Sequence, residues 1–214
     1  MNMARYNVNS RFFTVRSISV AYWLGFIFAD GCVFTRRNGR EWLLQVKLQR
    51  GDEGHLERLR SDLRYTGPIK YPVEDAAALC IYCRELCQDL VRLGIIPNKT
   101  KKGISIPEEW LEGLELPFAQ GLFDANGSIS EDKNGVKIGI SGPRGIASWF
   151  RTQVAIHVRA SARGHMTDRS PCFEVAWHGN RIGPEILSWL YQDSGTPRLI
   201  RKAQRAKATL EVYH

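Results

Sequence analysis

Two stretches decide the fold: Trp23–Gly31, WLGFIFADG, and Ala119–Gly127, AQGLFDANG. Each is largely apolar, carries small residues one helical turn apart (Gly25 and Ala29; Gly121 and Ala125) and ends in Gly. Asp30 and Asn126 occupy matching places 96 residues apart, so the 214-residue chain splits into near-equal halves. We divide it into 1–103 and 104–214. Small residues at this spacing let two backbones approach closely, so the two stretches are expected to pack as neighbouring helices with their C-terminal ends together. Asp30 then stands at a helix C-terminus, where a carboxylate costs about 0.3–1 kcal/mol against the helix dipole. A divalent cation reverses that cost, and hard oxygen donors beside a polyanion point to Mg²⁺. The plain structural reading of Asp30-Gly31 is a helix-ending turn.

Outward from each stretch the same order of elements recurs. In Glu41–Gln49, residues Glu41, Leu43, Gln45, Lys47 and Gln49 alternate with Trp42, Leu44, Val46 and Leu48. That is the period of a half-buried strand with a long polar face. Asp52 can cap a helix whose Leu56, Leu59 and Leu63 form one stripe. A second strand pair is expected near Ile69–Tyr71 and Ala77–Cys83, then a helix from Glu85 that ends at Gly94. In the second half Asn134-Gly135 suits a hairpin turn, and Val136, Ile138 and Ile140 alternate with Lys137, Gly139 and Ser141. A helix from about Pro143 carries Ile146, Phe150 and Val154. Arg159, Ser161, Arg163 and His165 share one strand parity, and Phe173, Val175 and Trp177 alternate with Glu174, Ala176 and His178. A helix over Ile182–Tyr191 and a basic tail over Arg198–Lys207 complete the repeat. Asn98–Gly103 reads as the linker.

Composition narrows the partner. Lys and Arg number 30 against 22 Asp and Glu, a net charge of +8, which favours a polyanion. No apolar run approaches the roughly 18–20 residues of a membrane helix, and the first apolar stretch lacks a cleavage pattern. The Arg-containing, acid-free start keeps an organellar address open. The cysteines are Cys32, Cys80, Cys83, Cys87 and Cys172. An odd count without a leader fits reduced thiols. Cys80, Cys83 and Cys87 raise zinc, but three ligands straddling a strand and a helix start favour buried thiols. Gly-rich phosphate loops, HExxH and nucleophile elbows are absent from the sequence.

The two stretches resemble the paired motifs of single-chain LAGLIDADG homing endonucleases. LVRLGIIPNKTKKG (90–103) resembles the segment that ends the first repeat in bacterial and phage members, and WLYQDSGTPRLIRK (189–202) the one that closes the second. The resemblance runs from about Asn7 to Lys202. It implies an α+β fold of two pseudo-symmetric αββαββα repeats whose antiparallel sheets form a DNA-binding saddle. It implies a monomer that performs intron homing by cutting double-stranded DNA with asymmetric half-sites, in the cytoplasm of a bacterial or phage-infected cell. The metal-binding acid of each motif maps onto Asp30 and Asn126, and the preceding carbonyl ligands onto Ala29 and Ala125. Mg²⁺ is the implied cofactor, with Ca²⁺ or Mn²⁺ able to replace it in a crystal. Asn126 departs from the pattern: neutral Asn is a poorer ligand than Asp, and impaired cleavage is expected. Asp124, two residues earlier, lies on a different helix face. Polarity and strand position offer Lys47 and Gln49, and Lys137 and His178, as residues that order the attacking water. Arg36, Arg37, Arg40, Gln45, Lys47 and Gln49 are the DNA contacts expected in one half; Lys137, Arg159, Arg163, His165 and His178 are those in the other. Two alternatives on the same fold stay open, a non-cleaving DNA-binding regulator and a group I intron maturase that binds intron RNA. The want of an added helix-turn-helix region weighs against the regulator.

Overall fold

The computed structural model describes residues 6–95, 105–133, 135–159, 161–170, 172–192 and 195–213. The Ser17 side chain accepts a hydrogen bond from the Val20 amide at 3.3 Å and so caps helix α1, Ile18–Asp30. Residues Val20 through Ala29 of α1 are all buried, the mark of a helix enclosed on every side. Strand β1, Gly31–Arg36, follows without a loop, and a turn at 37–40 leads into β2, Glu41–Gln49. Helix α2 (Glu53–Asp62), β3 (Lys70–Val73), β4 (Ala76–Tyr82) and α3 (Arg84–Arg92) complete the first half. After a single turn, α4 (Glu108–Leu111), the order repeats: α5 (Glu115–Asn126), β5 (Gly127–Asp132), β6 (Gly135–Gly142), α6 (Arg144–His157), β7 (His165–Arg169), β8 (Cys172–His178) and α7 (Ile182–Tyr191). A last helix, α8, spans Ile200–Tyr213.

The sheets are antiparallel, ordered β1-β2-β4-β3 and β5-β6-β8-β7. They share a register at the motif ends, Gly31 opposite Val46 and Gly127 opposite Ile140. Alternation explains the layers. Leu44, Val46, Leu48, Leu79 and Ile81 point inward, as do Val136, Ile138, Ile140, Val175 and Trp177, and one apolar core joins both sets with α1 and α5. The opposite faces carry Lys47, Gln49, Lys137 and His178.

Several expectations change in detail. Leu43 shares the parity of Gln45 and Lys47, yet it is buried in a small cluster with Ala78, Cys80 and Phe34, apart from the main core. Asp52 precedes α2 but makes no cap hydrogen bond; the Arg201 guanidinium holds its carboxylate instead. Of Arg159, Ser161, Arg163 and His165, only His165 lies in a strand. The Ala162 amide bonds to Arg159 O at 2.8 Å, and the Trp177 indole N–H donates to Ala162 O at 3.1 Å. This turn ends at Gly164, whose φ of +58° suits glycine. The basic tail is a helix that buries Lys202, Ala206 and Thr209. Cys80 faces the outer sheet surface, while Cys83 and Cys87 open α3. Burial pushes the Cys87 thiol up to about 12. The linker Asn98–Gly103, the division at 103/104 and Asn134 lie outside the described residues; Gly135 has the positive φ, 114°, of a turn glycine.

Candidate cleavage site and nucleic-acid interface

Helices α1 and α5 meet backbone to backbone. A Cβ on Gly25 would collide with Phe118 O and lie 3.1 Å from Leu122 N; one on Gly121 would collide with Tyr22 O and lie 2.8 Å from Phe26 N. Glycine at these two places is therefore a steric requirement. The crossing carries the two motif ends together, and the Asn126 side-chain amide donates to the Ala29 carbonyl at 3.4 Å. Asp30 is exposed at the end of α1, and Asn126 is half-buried.

Around Asp30 the chain forms a cleft of about 330 Å³. Lys47 and Gln49 line it from the end of β2, with Asp52, Asp75 and Arg201. Arg201 reaches across from the second half and grips Asp52, with Nη2 2.9 Å and Nε 3.3 Å from Oδ2. Beside Asn126 a second cleft of about 640 Å³ runs between β5 and α8, lined by Ser128, Arg201, Lys202, Gln204 and Arg205 among others. Lys202 is buried there. Its ammonium donates to Phe123 O at 2.7 Å and Ala125 O at 3.5 Å; the first of these also accepts the Gly127 amide, and the second is one of the carbonyls the helix end leaves open. Burial lowers its pKa to about 8, against the opposing pull of Asp124, Asp30 and Asp52.

Asp124 is buried and accepts three hydrogen bonds: from Tyr22 Oη at 2.7 Å, Tyr191 Oη at 2.6 Å and the Leu199 amide at 2.8 Å. It ties α1, α7 and the entry to α8 to one carboxylate and thereby places Arg201 and Lys202. Burial raises its pKa despite those donors. It is a structural anchor whose carboxylate also borders the Asp30 cleft.

Lys47 and Gln49 thus converge with Asp30. Lys137 and His178 do not converge with Asn126. Lys137 stands opposite Ser130, three positions from Gly127, about 10 Å along a strand. It pairs with Glu174 at 3.6 Å, and His178 with Asp132 at 3.0 Å. The shared register puts Ser141 and Pro143 where the first half has Lys47 and Gln49. The basic groups beside Asn126 come from α8, where the sequence suggested only a basic tail. The spacing of its buried Lys202, Ala206 and Thr209 is helical, but two of the three are polar, so no apolar stripe marks the face.

Of the expected DNA contacts, Arg36, Arg40, Lys47 and Gln49 are exposed in the first half. Arg37 pairs with Glu41 at 3.0 Å, and Gln45 bonds to Cys80 Sγ at 3.4 Å. In the second half His165 is exposed on β7 and Arg163 in the preceding turn. Arg159 is drawn away to Glu185 of α7, on the core side of the sheet. Thr167 and Arg169 take its place on the outer face, and Arg169 pairs with Glu174 at 2.6 Å.

No protein-family model and no curated protein sequence matches this chain. Solved structures do. The LAGLIDADG meganuclease I-AabMI bound to uncleaved DNA aligns with a TM-score of 0.61 at 13% identity, over 92% of this chain and 90% of that one. Meganuclease I-SmaMI bound to uncleaveable DNA with a TTGT central four aligns at 0.64 and 13%, over 90% and 88%. The LAGLIDADG homing endonuclease I-GzeII in complex with its DNA target aligns at 0.62 and 11%, over 92% and 90%. The chain has the LAGLIDADG homing endonuclease fold. In that LAGLIDADG fold Gly25 and Gly121 mark the crossing of the motif helices, and Asp30 and Asn126 end them. No described helix is long and apolar enough to cross a membrane.

Proposed function

We propose that this chain is a LAGLIDADG homing endonuclease that binds a specific double-stranded DNA site as a monomer and whose cleavage is impaired by Asn126. One observation carries the reading: the glycine-tight crossing brings Asp30 and Asn126 to one place between two open sheet faces. The DNA-bound states of I-AabMI and I-GzeII support the choice of duplex DNA, as does the net charge of +8.

The donor chemistry fits Mg²⁺. No described cluster of three His, Cys, Asp or Glu side chains could hold a metal ion, but Mg²⁺ needs only one or two carboxylates where substrate phosphates and water complete its shell. Asp30, the Ala29 and Ala125 carbonyls and the Asn126 amide oxygen would hold it. When bound, it would polarise the scissile phosphate and lower the pKa of a water. Lys47 and Gln49 would orient that water from the floor of the Asp30 cleft. Arg201, held by Asp52, would face a phosphate oxygen, and Lys202 would add charge beside Asn126. Asn126 leaves the shared centre one negative charge short.

A second reading, a non-cleaving DNA binder, draws on the same residues. Asn126 donates to the Ala29 carbonyl and Lys202 to that of Ala125, so both implied carbonyl ligands already have partners.

Selection from randomised duplexes tests the binding claim. An asymmetric site should emerge, and affinity for it should fall by about 10³–10⁵ between 50 and 200 mM salt if six to ten phosphates are contacted. A chain that enriches no duplex, or prefers intron RNA, contradicts it.

A further inference from the structure

The two outer sheet faces differ in kind. In the second half polar pairs dominate: Lys137 and Arg169 flank Glu174, and His178 meets Asp132. In the first half an apolar patch interrupts the face. Leu43, Ala78 and Cys80 form its floor, and Phe34 packs against them. The register sets Leu43 opposite both Phe34 and Tyr82, and Val73 opposite Ala76. Tyr82 and Val73 are 49% and 57% exposed. The three floor residues are themselves 2–8% exposed, so the apolar surface open to solvent in this row is that of Tyr82 and half-buried Phe34. Its rim is cationic: Lys70 lies over the Tyr82 ring at 6.0 Å, and Arg36 and Lys47 are exposed at opposite ends of the face. A basic rim around the Phe34 and Tyr82 rings matches a DNA major groove, with phosphates at its edges and base edges in its bed.

We propose that the first sheet reads its half of the target through thymine C5-methyl groups, packed on Phe34 and Tyr82, which Leu43, Ala78 and Cys80 support from beneath, whereas the second sheet reads by hydrogen bonds. The proposal rests on the DNA-binding reading. Thymine is the one standard base whose major-groove edge presents a methyl. Gln45, half-buried with its amide on Cys80 Sγ at 3.4 Å, carries the donor and acceptor suited to adenine. The preferred half-site is therefore a run of T·A pairs.

The natural chain tests this on a duplex selected from a random library. Deoxyuridine replaces thymidine in one half-site at a time, which removes only methyls. Affinity should fall about fourfold for each contacted methyl, the factor for burying one CH₂-sized group, in one half-site alone. The surface variant Tyr82→Ser should shrink that effect and leave the salt dependence unchanged. A selected site without a thymine run, equal affinity for both bases, or an effect that Tyr82→Ser leaves intact would overturn the proposal while DNA binding stood. Concentration-dependent self-association blocked by Tyr82→Ser would assign the patch to a second copy and overturn it too. Enrichment of no duplex would overturn this proposal and the DNA reading together.

Discussion

Gln120 is fully buried in α5, and neither its Oε1 nor its Nε2 has a hydrogen-bond partner. Unpaired buried amide atoms cost about 1–3 kcal/mol, so Gln120→Leu should raise unfolding free energy by about 1–2 kcal/mol, read as a higher urea midpoint at unchanged slope. His55 is the opposite case. Tyr22 Oη donates to Asp124, so the His55 Nε2–H must donate to Tyr22 Oη, 3.0 Å away. Burial holds the His55 pKa down from 6.5 to about 4. At pH 7 both folded and unfolded chains keep it neutral. As pH falls from 6.5 toward 4 the unfolded chain binds a proton that the folded chain excludes. Stability present above pH 6.5 is thus lost, by about 3 kcal/mol. Urea titrations at pH 7 and 4.5 should show a steeper loss for the natural chain than for His55→Gln. At this scale Gly25, Gly121, Asp30 and Asn126 were legible, because chemistry and spacing sit in nine-residue stretches. Arg201 with Asp52, and Lys202 with Phe123, were not: the first pair is 149 residues apart and the second 79, and no local pattern encodes either meeting.

Among the elements, the strict alternations were legible and the irregular ones were not. Glu41–Gln49 and Ile182–Tyr191 read correctly from period alone. The segment before β7 did not, because a Trp177 hydrogen bond from β8 holds Ala162 in a turn whatever its parity. Helix α8 was not legible because the stripe it buries is Lys202, Ala206 and Thr209, two polar side chains and one small apolar one. The element on which most depends is the α1–α5 pair. Gly121→Ala would push a methyl into the Tyr22 carbonyl, and rigid backbone on both sides cannot yield. We expect a loss of about 3 kcal/mol or more, with the lower thermal midpoint accompanied by loss of DNA binding. Gly54→Ala, at an open site in α2, should be neutral or slightly stabilising, about 0.4–1 kcal/mol, and serves as control.

At the scale of the molecule, the repeat makes one site from two halves that have diverged. The first half brings Asp30, Lys47 and Gln49 to one cleft; the second answers with Asn126 and the basic α8. The two sheets and their polar outer faces were legible in outline, but the burial of Leu43 was hidden by a parity that groups it with Gln45 and Lys47. The division of labour leads to one decisive measurement. A selected duplex is incubated with Mg²⁺ and either the natural chain or Asn126→Asp, and both strands are followed on a denaturing gel. Binding should be alike, because it rests on the sheet faces. The natural chain should leave both strands essentially uncut, because Asn126 removes a charge from a centre the two motif ends share, and Asn126→Asp should cut both. Full-rate double-strand cleavage by the natural chain, a nick confined to one strand, or no cutting by Asn126→Asp would contradict the account.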